Sequence, residues 1–191
     1  MQYHLDLLRD VSNGDLYKHL RSIFQKRGQA GEEFLVSRFH QETDGLRGDI
    51  LQLLGHLCSE AAAPIAREFL EHQDSDHRCR GCMVLGWIGG PEDIALLGKH
   101  LLDDPDPSIR GDAATALRQI WLRLPECRDE SLGLLRQALS KEQDPKTLNL
   151  IIISAQTIAK KSFGMRENIS AGTITRDVTR ARAAALRYLS S

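Results

Sequence analysis

Two cysteines three positions apart, Cys79 and Cys82, are the residues whose type and spacing most directly suggest chemistry. A Cys-x-x-Cys pair can supply half of a zinc site, or it can carry out thiol–disulfide exchange. Zinc would need a second ligand pair, but the other cysteines and the histidines are scattered. A redox motif should follow a strand, and no strand pattern precedes Cys79. We expect two small buried residues on one helix, with the redox and zinc roles left open.

The tripeptide Arg-Gly-Asp occurs twice, at 47–49 and 110–112. Cell adhesion would require an exposed turn in an extracellular protein. Both copies fall inside predicted helices, and the N-terminus lacks the basic start and apolar run of a secretory signal. We also find no phosphate-binding loop, nucleophile elbow or HExxH pattern, so the sequence assigns no catalytic residue.

The composition favours helices that stack into one domain. The chain has 191 residues, of which 41% are hydrophobic, 27% charged and only 5% aromatic. Leucine, alanine, arginine and glutamate dominate, and all four are good helix formers. No apolar run approaches the length of about 18 residues that a membrane-spanning helix requires. We therefore expect a cytoplasmic protein without a membrane partner.

An arginine–glycine pair recurs at positions 47, 80 and 110, with spacings of 33 and 30 residues. A period of this size indicates a solenoid of repeated helix pairs. After the first pair, apolar residues follow at helical steps of three and four. We predict that Arg47, Arg80 and Arg110 bind acids or carbonyls of neighbouring repeats, and that Asp106 caps a helix.

A degenerate fourth copy begins at Asp144, which is followed by proline as Asp106 is. The sequence thus predicts one domain, 1–191, in three parts. Residues 1–43 form a helical cap with helices near 15–27 and 32–42, residues 44–160 hold the clear repeats, and 161–191 form a loop and a capping helix.

The segment from Cys79 to Ile120 resembles the short bacterial HEAT repeats first recognised in phycobilisome lyases. The resemblance is carried by two sets of residues, Asp106, Pro107, Arg110, Ala113, Ala114 and Leu117 in one copy and Arg80, Leu85, Gly86, Ile88 and Gly89 in another. It implies an all-α fold, an α-α superhelix that forms a HEAT-like solenoid of paired antiparallel helices. It also implies a bacterial protein.

Charge is distributed unevenly along the chain. Residues 60–106 contain ten acids and four bases, whereas residues 157–191 contain seven bases and two acids. HEAT geometry would place the second helix of each pair on a concave face, where acids would attract a basic partner. The predicted contact residues are Glu60, Arg67, Glu68, Glu71, Glu92, Asp93, Lys99 and Asp103. For each acid, helix capping or simple solvation is the alternative.

These features lead us to expect a non-catalytic protein-binding module, either an adaptor or an immunity protein that neutralises a toxin. The expected partner is another protein, and the acidic segment favours a basic one, such as a toxin or an enzyme. A nucleic-acid binder or DNA-glycosylase-like enzyme is an alternative, with phosphate contacts at Arg176, Arg180 and Arg182. Another is a lyase or chaperone-like protein acting on a small molecule. We expect no cofactor and no metal.

Overall fold

The computed structural model describes residues 1–9, 14–168, 173–175 and 177–190. Within these ranges the chain forms ten α-helices and two short strands. The helices are α1 (Gln2–Leu8), α2 (Gly14–Phe39), α3 (Asp44–His56), α4 (Ala62–Leu70), α5 (Ser75–Ile88), α6 (Ile94–Asp103), α7 (Pro107–Arg123), α8 (Arg128–Lys141), α9 (Pro145–Ala159) and α10 (Val178–Leu189). The strands β1 (Arg166–Asn168) and β2 (Thr173–Thr175) pair as an antiparallel hairpin.

The helices stack as two layers of alternating members. α3, α5, α7 and α9 pack on one another in turn, and α6, α8 and α10 form the second layer. Single-turn 3₁₀ helices, Pro91–Asp93 and Pro125–Cys127, lead into α6 and α8. The predicted all-α solenoid of paired helices is confirmed.

Aspartates fix where three first-layer helices begin. The side chains of Asp74, Asp106 and Asp144 accept the N–H groups of residues two or three positions later. Such caps satisfy backbone donors that have no partner within the helix. Asp106 therefore occupies the capping position that its sequence predicts.

These caps also set the true register of the repeats. The N-cap residues of α3, α5 and α7 are Thr43, Asp74 and Asp106. Counting four residues onward from each cap reaches Arg47, Arg78 and Arg110. Arg78, rather than Arg80, is thus the equivalent of the other two arginines. The three Arg-Gly pairs therefore do not occupy equivalent positions. The pair at 80–81 lies about half a turn further along its helix than the pairs at 47–48 and 110–111 lie along theirs.

The fifth residue after each N-cap shows how neighbouring repeats approach each other. A Cβ on Gly48 would lie 2.7 Å from the Arg80 side chain, and one on Gly111 would lie 2.7 Å from that of Leu150. At the equivalent place on α5, the Cys79 thiol donates a hydrogen bond to the Asp112 carboxylate. Each first-layer helix thus presses a side chain onto a small residue of its predecessor.

Gly81 marks a close approach of backbone to backbone. A Cβ there would lie 2.8 Å from the Ala66 carbonyl oxygen of α4, which a rotamer change cannot move away. We expect Gly81→Ala to destabilise the fold by about 1–3 kcal/mol. Gly133→Ala in α8, where a Cβ meets nothing within 4 Å, should stabilise it by up to about 1 kcal/mol. Urea unfolding of both variants tests the contrast, and equal effects would contradict it.

Both ends of the stack contain features that interrupt regular helix. Gly28 has φ +53° and breaks α2 into two parts, close to the boundary between the two predicted N-terminal helices. At the other end, α10 packs against α8 and α9. The β1–β2 hairpin that precedes it was not predicted. The apolar core continues through all of this, with Leu5 and Ala185 among its fully buried members.

The described ranges contain no helix that could cross a membrane. None of their helices combines the necessary length with sufficiently apolar composition.

Candidate active site

A cleft opens where the end of α4 and the start of α5 meet the turn from α6 to α7. It has a volume of about 390 Å³. It is lined by Leu70, Glu71, His72, Gln73, Arg78, Lys99, His100, Asp103, Asp104 and Pro105. Convergent charged groups and imidazoles in a concave site are what a catalytic cleft requires.

Asp104 is the buried centre of this cleft. Its carboxylate accepts two hydrogen bonds from Arg78, each of 2.9 Å, and one of 3.0 Å from the N–H of Asp106. Burial raises the pKa of Asp104, but hydrogen bonds from Arg78 and His100 outweigh that effect, so the net pKa is lowered. The carboxylate is therefore ionised at neutral pH.

His100 is oriented by this carboxylate. Its Nδ1 lies 2.9 Å from Oδ2 of Asp104. An ionised carboxylate can only accept, so Nδ1 carries the hydrogen and Nε2 is left with a lone pair. Nε2 is buried and finds no hydrogen-bond partner among the described residues, with Oε1 of Glu71 4.0 Å away. A carboxylate-oriented imidazole with a free nitrogen is the arrangement that general bases use.

A second group of imidazoles adjoins the cleft. Asp44 at the start of α3, His72 in the α4–α5 turn and His77 in the first turn of α5 place one ligand atom each within 4.8 Å of one another. The rings of His72 and His77 stack with centroids 4.1 Å apart. His77 is only 6% exposed, and within the part of the chain that the structure describes neither of its ring nitrogens has a hydrogen-bond partner.

Arg78 joins the two groups. Besides binding Asp104, its Nη1 donates to the carbonyls of His72 and Gln73, at 3.0 and 2.8 Å. These bonds fix the α4–α5 turn, and with it the ring of His72, against the cleft. Arg78 therefore positions both parts of the site.

Most residues predicted to contact a partner instead pair with each other and so join the α4 segment to the α6 segment. Lys99 binds Glu71 at 2.8 Å. Arg67 binds Glu92 at 3.1 Å and Asp93 at 2.6 Å. Asp93 needs a correction, because it is 1% exposed and accepts from the N–H of Gly90. A buried, saturated carboxylate cannot form part of a docking surface.

The other predicted contact residues lie nearer the solvent. Glu68 binds Arg47 at 3.2 Å, and Asp103 binds Lys141 at 3.1 Å. Glu60 is exposed at the start of the turn before α4. A binding role for these residues stays a prediction, whereas their pairing shows that several brace one repeat against the next.

The arginines predicted to tie the repeats together reach acids outside their own helices. Arg110 binds both oxygens of Glu142, at 2.7 and 2.9 Å, and Arg80 binds Asp49 at 2.8 Å. Arg47 lies over the ring of Phe39, with its guanidinium carbon 4.5 Å from the centroid. Each contact joins separate helices of the stack.

The basic C-terminal residues have separate environments. Arg176 lies outside the described residues. Arg182 donates to the carbonyls of Leu139 and Ser140, at 2.7 and 3.0 Å, and so caps the end of α8. Arg180 is exposed on the first turn of α10.

The cysteine pair is poorly suited to redox work. Burial raises the pKa of Cys79 to about 12, and burial also raises that of Cys82 well above its usual value. A thiol must ionise to attack a disulfide or bind a metal. Among the described residues, the potential metal-ligand group does not include either cysteine.

Sequence reasoning missed His72, His77, His100 and Asp104 as a site. The three potential metal ligands lie on three different elements, and only the fold places Asp44 beside the histidines. One signal was present, because His100 and Asp104 are four residues apart and therefore share a helix face.

Two curated enzymes are similar to this chain. One is the deoxyhypusine hydroxylase of Candida albicans, 25% identical over 160 residues that cover 74% of this chain and 49% of the relative. The other is the deoxyhypusine hydroxylase of Kluyveromyces lactis, 26% identical over 161 residues that again cover 74% of this chain and 49% of the relative. The chain therefore spans about half the length of these relatives.

This similarity corrects the functional expectation. The prediction of a non-catalytic adaptor or immunity protein is wrong, because both relatives carry the name of an enzyme. The alternatives, a nucleic-acid binder and a lyase-like protein, receive no support from the same comparison. The reason for the error is that none of the site's residues forms a motif along the sequence.

The family model for HEAT repeats matches residues 32–118. The matched segment runs from the second part of α2 through most of α7, and so covers the first-layer helices whose caps set the repeat register. The lyase subtype is not supported by this match. With their paired helices stacked in two layers, residues 32–118 form HEAT repeats.

Proposed function

We propose that this chain is a hydroxylase that acts on deoxyhypusine, the compound in the names of its relatives. The observation that carries the proposal is the similarity to two such enzymes over 74% of the chain. The cleft beside α4 supports it, because it combines an oriented imidazole with a group of potential metal ligands.

Hydroxylation by O₂ places one oxygen atom in a C–H bond and releases the other as water. The reaction consumes two electrons and two protons, which a reductant must supply. Side chains do not activate O₂, so a redox-active group is required. Two imidazoles and one carboxylate form the ligand set of non-haem iron(II) oxygenases, and His77 has two orphaned buried nitrogens. Asp44, His72 and His77 therefore fit such an ion, which would activate O₂ when bound.

The chain itself would handle a proton at His100. Once protonated at Nε2, its ring can deliver one of the two protons that the reaction consumes, and Asp104 stabilises the imidazolium that carries this proton. Glu71 lies beside this nitrogen and pairs with Lys99, and the side chains of this pair are 56% and 58% exposed. Exposed ion pairs are weak, so a substrate can displace this one on entering the cleft.

An assay with Fe(II), ascorbate, O₂ and deoxyhypusine tests the proposal. We expect a product heavier by one oxygen atom, with that atom derived from isotopically labelled O₂. His100→Gln should lower turnover by about 10²–10⁴-fold, which is the usual contribution of a group that transfers a proton. Glu130→Gln, on the exposed side of α8, is the matched control and should keep full activity.

Two results would overturn the proposal. One is the absence of labelled product although circular dichroism shows the helical fold. The other is equal turnover by His100→Gln and the unsubstituted protein, which would remove His100 from the mechanism.

A further inference from the structure

We infer that Glu71 is the group by which the cleft beside α4 binds a primary ammonium, and that Lys99 occupies this place as an internal competitor until a ligand displaces it. The inference deepens the hydroxylase proposal, on which it rests for the chemistry that follows binding, by naming the part of a substrate that the cleft would hold. Binding of an amine can be measured without turnover, so the two proposals can fail separately.

The ring of His100 indicates that the cleft receives a ligand with hydrogen-bond donors. Its side chain is 8% exposed, and within the described ranges its Nε2 has no hydrogen-bond partner. Buried polar atoms in proteins almost always have one. The nearby Oε1 of Glu71, 4.0 Å away, cannot serve, because it and Nε2 are both acceptors when Nδ1 carries the ring hydrogen. A group that donates to both atoms is therefore required between them.

A primary ammonium fits this gap. It has three N–H donors in a tetrahedral arrangement. Because Nε2 of His100 and Oε1 of Glu71 are 4.0 Å apart, a nitrogen roughly 2.9 Å from each would bind them at an angle of roughly 90°. Two of its N–H groups can then point to the two acceptors at once. A hydroxyl has a single donor and can satisfy only one of them.

The charges of the cleft also favour a cation. Its lining contains three acids, Glu71, Asp103 and Asp104, and two bases, Arg78 and Lys99, which give a net charge of −1 with neutral histidines. Asp104 and Arg78 bind each other inside the cleft. If Lys99 leaves, the carboxylate of Glu71 loses its compensating charge. An incoming ammonium restores that balance, whereas an incoming anion would be repelled.

Lys99 itself illustrates the contact that a ligand would make. Its Nζ lies 2.8 and 3.1 Å from the two carboxylate oxygens of Glu71, so a primary ammonium already binds this acid. The Lys99 side chain is 58% exposed and can move into solvent, and an exposed ion pair of this kind stabilises the protein only weakly. Leu70 and Pro105 also line the cleft and offer an apolar surface to the alkyl chain of an amine.

n-Butylamine, which is protonated at pH 7, is a suitable probe, and n-butanol is its neutral counterpart. NMR titration measures both affinities, and we expect the alcohol to bind at least about tenfold more weakly. Glu71→Gln should weaken binding of the amine by about tenfold or more, because a charge-assisted hydrogen bond is lost. Lys99→Met removes the competitor but keeps its alkyl stem, and it should tighten binding by about two- to fivefold.

Two matched variants control for charge alone. Glu68→Gln neutralises an exposed acid of α4 that does not line the cleft, and it should bind the amine as the parent does. Lys141→Met removes the same charge as Lys99→Met but releases Asp103 instead of Glu71. It should therefore tighten binding less than Lys99→Met does.

The inference would be overturned by absence of amine binding, by equal affinity for the amine and the alcohol, or by equal affinities of Glu71→Gln and the parent. A larger loss in Asp103→Asn than in Glu71→Gln would also overturn it, because Asp103 would then be the receptor. Amine binding that depends on Glu71 in a protein that does not hydroxylate deoxyhypusine would overturn only the hydroxylase proposal. Hydroxylation with a KM that Glu71→Gln leaves unchanged would overturn only the present inference.

Discussion

Asp104→Ala should destabilise the fold by about 3–5 kcal/mol, the usual effect of removing one partner from a buried ion pair. The substitution leaves the Arg78 guanidinium, 10% exposed, without its carboxylate and removes the partner of Nδ1 of His100. Uncompensated buried charge is the main cost, because Arg78 keeps only its bonds to backbone carbonyls.

The adjacent residue supplies a matched control. Asp103 is 71% exposed and forms a surface ion pair with Lys141, so Asp103→Ala should cost no more than about 1 kcal/mol. Urea unfolding at pH 7 measures both free energies. A double variant, Arg78→Met with Asp104→Leu, should recover much of the lost stability, because it removes both charges. Equal losses for Asp103→Ala and Asp104→Ala would show that the buried network contributes nothing.

Acid should destabilise the protein through Glu142. Hydrogen bonds from Arg110, and then from the N–H groups of Asp144 and Gln143, outweigh burial and lower the pKa of Glu142 from 4.5 to about 2. A pKa that is lower in the folded state stabilises the fold above the unfolded value. That stability disappears as the pH falls from about 4.5 to about 2, and its full size is about 3 kcal/mol.

Comparison of Glu142→Gln with the parent isolates this contribution. The variant should be less stable by about 3 kcal/mol near pH 7, and the difference should shrink toward zero at about pH 2. Glu130→Gln, an exposed change on α8, is the control. Asp104 and Asp144 also have lowered pKa values, so both proteins lose some stability in acid, and only their difference reports Glu142. A difference that stays constant with pH would contradict the assignment.

Local sequence determined the helices but not the register between them. Asp-Pro at 106–107 and 144–145 predicted two helix starts that the structure contains. The Arg-Gly pair at 80–81 misled the alignment, because Arg80 contacts α3 whereas Arg78 takes the place of Arg47 and Arg110. Only the capping geometry distinguishes these arginines, and that geometry depends on the turn before α5.

The candidate site was beyond sequence reasoning for a different physical reason. Asp44 and His77 meet because α3 and α5 pack side by side, and no fixed spacing along the chain reports that contact. The burial of Asp93 could not be predicted either, because its position after Pro91 resembles an ordinary exposed helix start. The β1–β2 hairpin escaped notice because each strand has only three residues.

The contact between successive first-layer helices makes the order of the repeats matter. Arg80 packs on Gly48 and donates to Asp49, whereas the Cys79 thiol donates to the Asp112 carboxylate. Deleting one whole helix pair, from Asp74 to Pro105, would therefore bring Asp112 against Asp49 and replace an attraction with a repulsion between two carboxylates. The helix pairs of this solenoid are consequently not interchangeable. Loss of one pair would require compensating mutations in the helices that become neighbours.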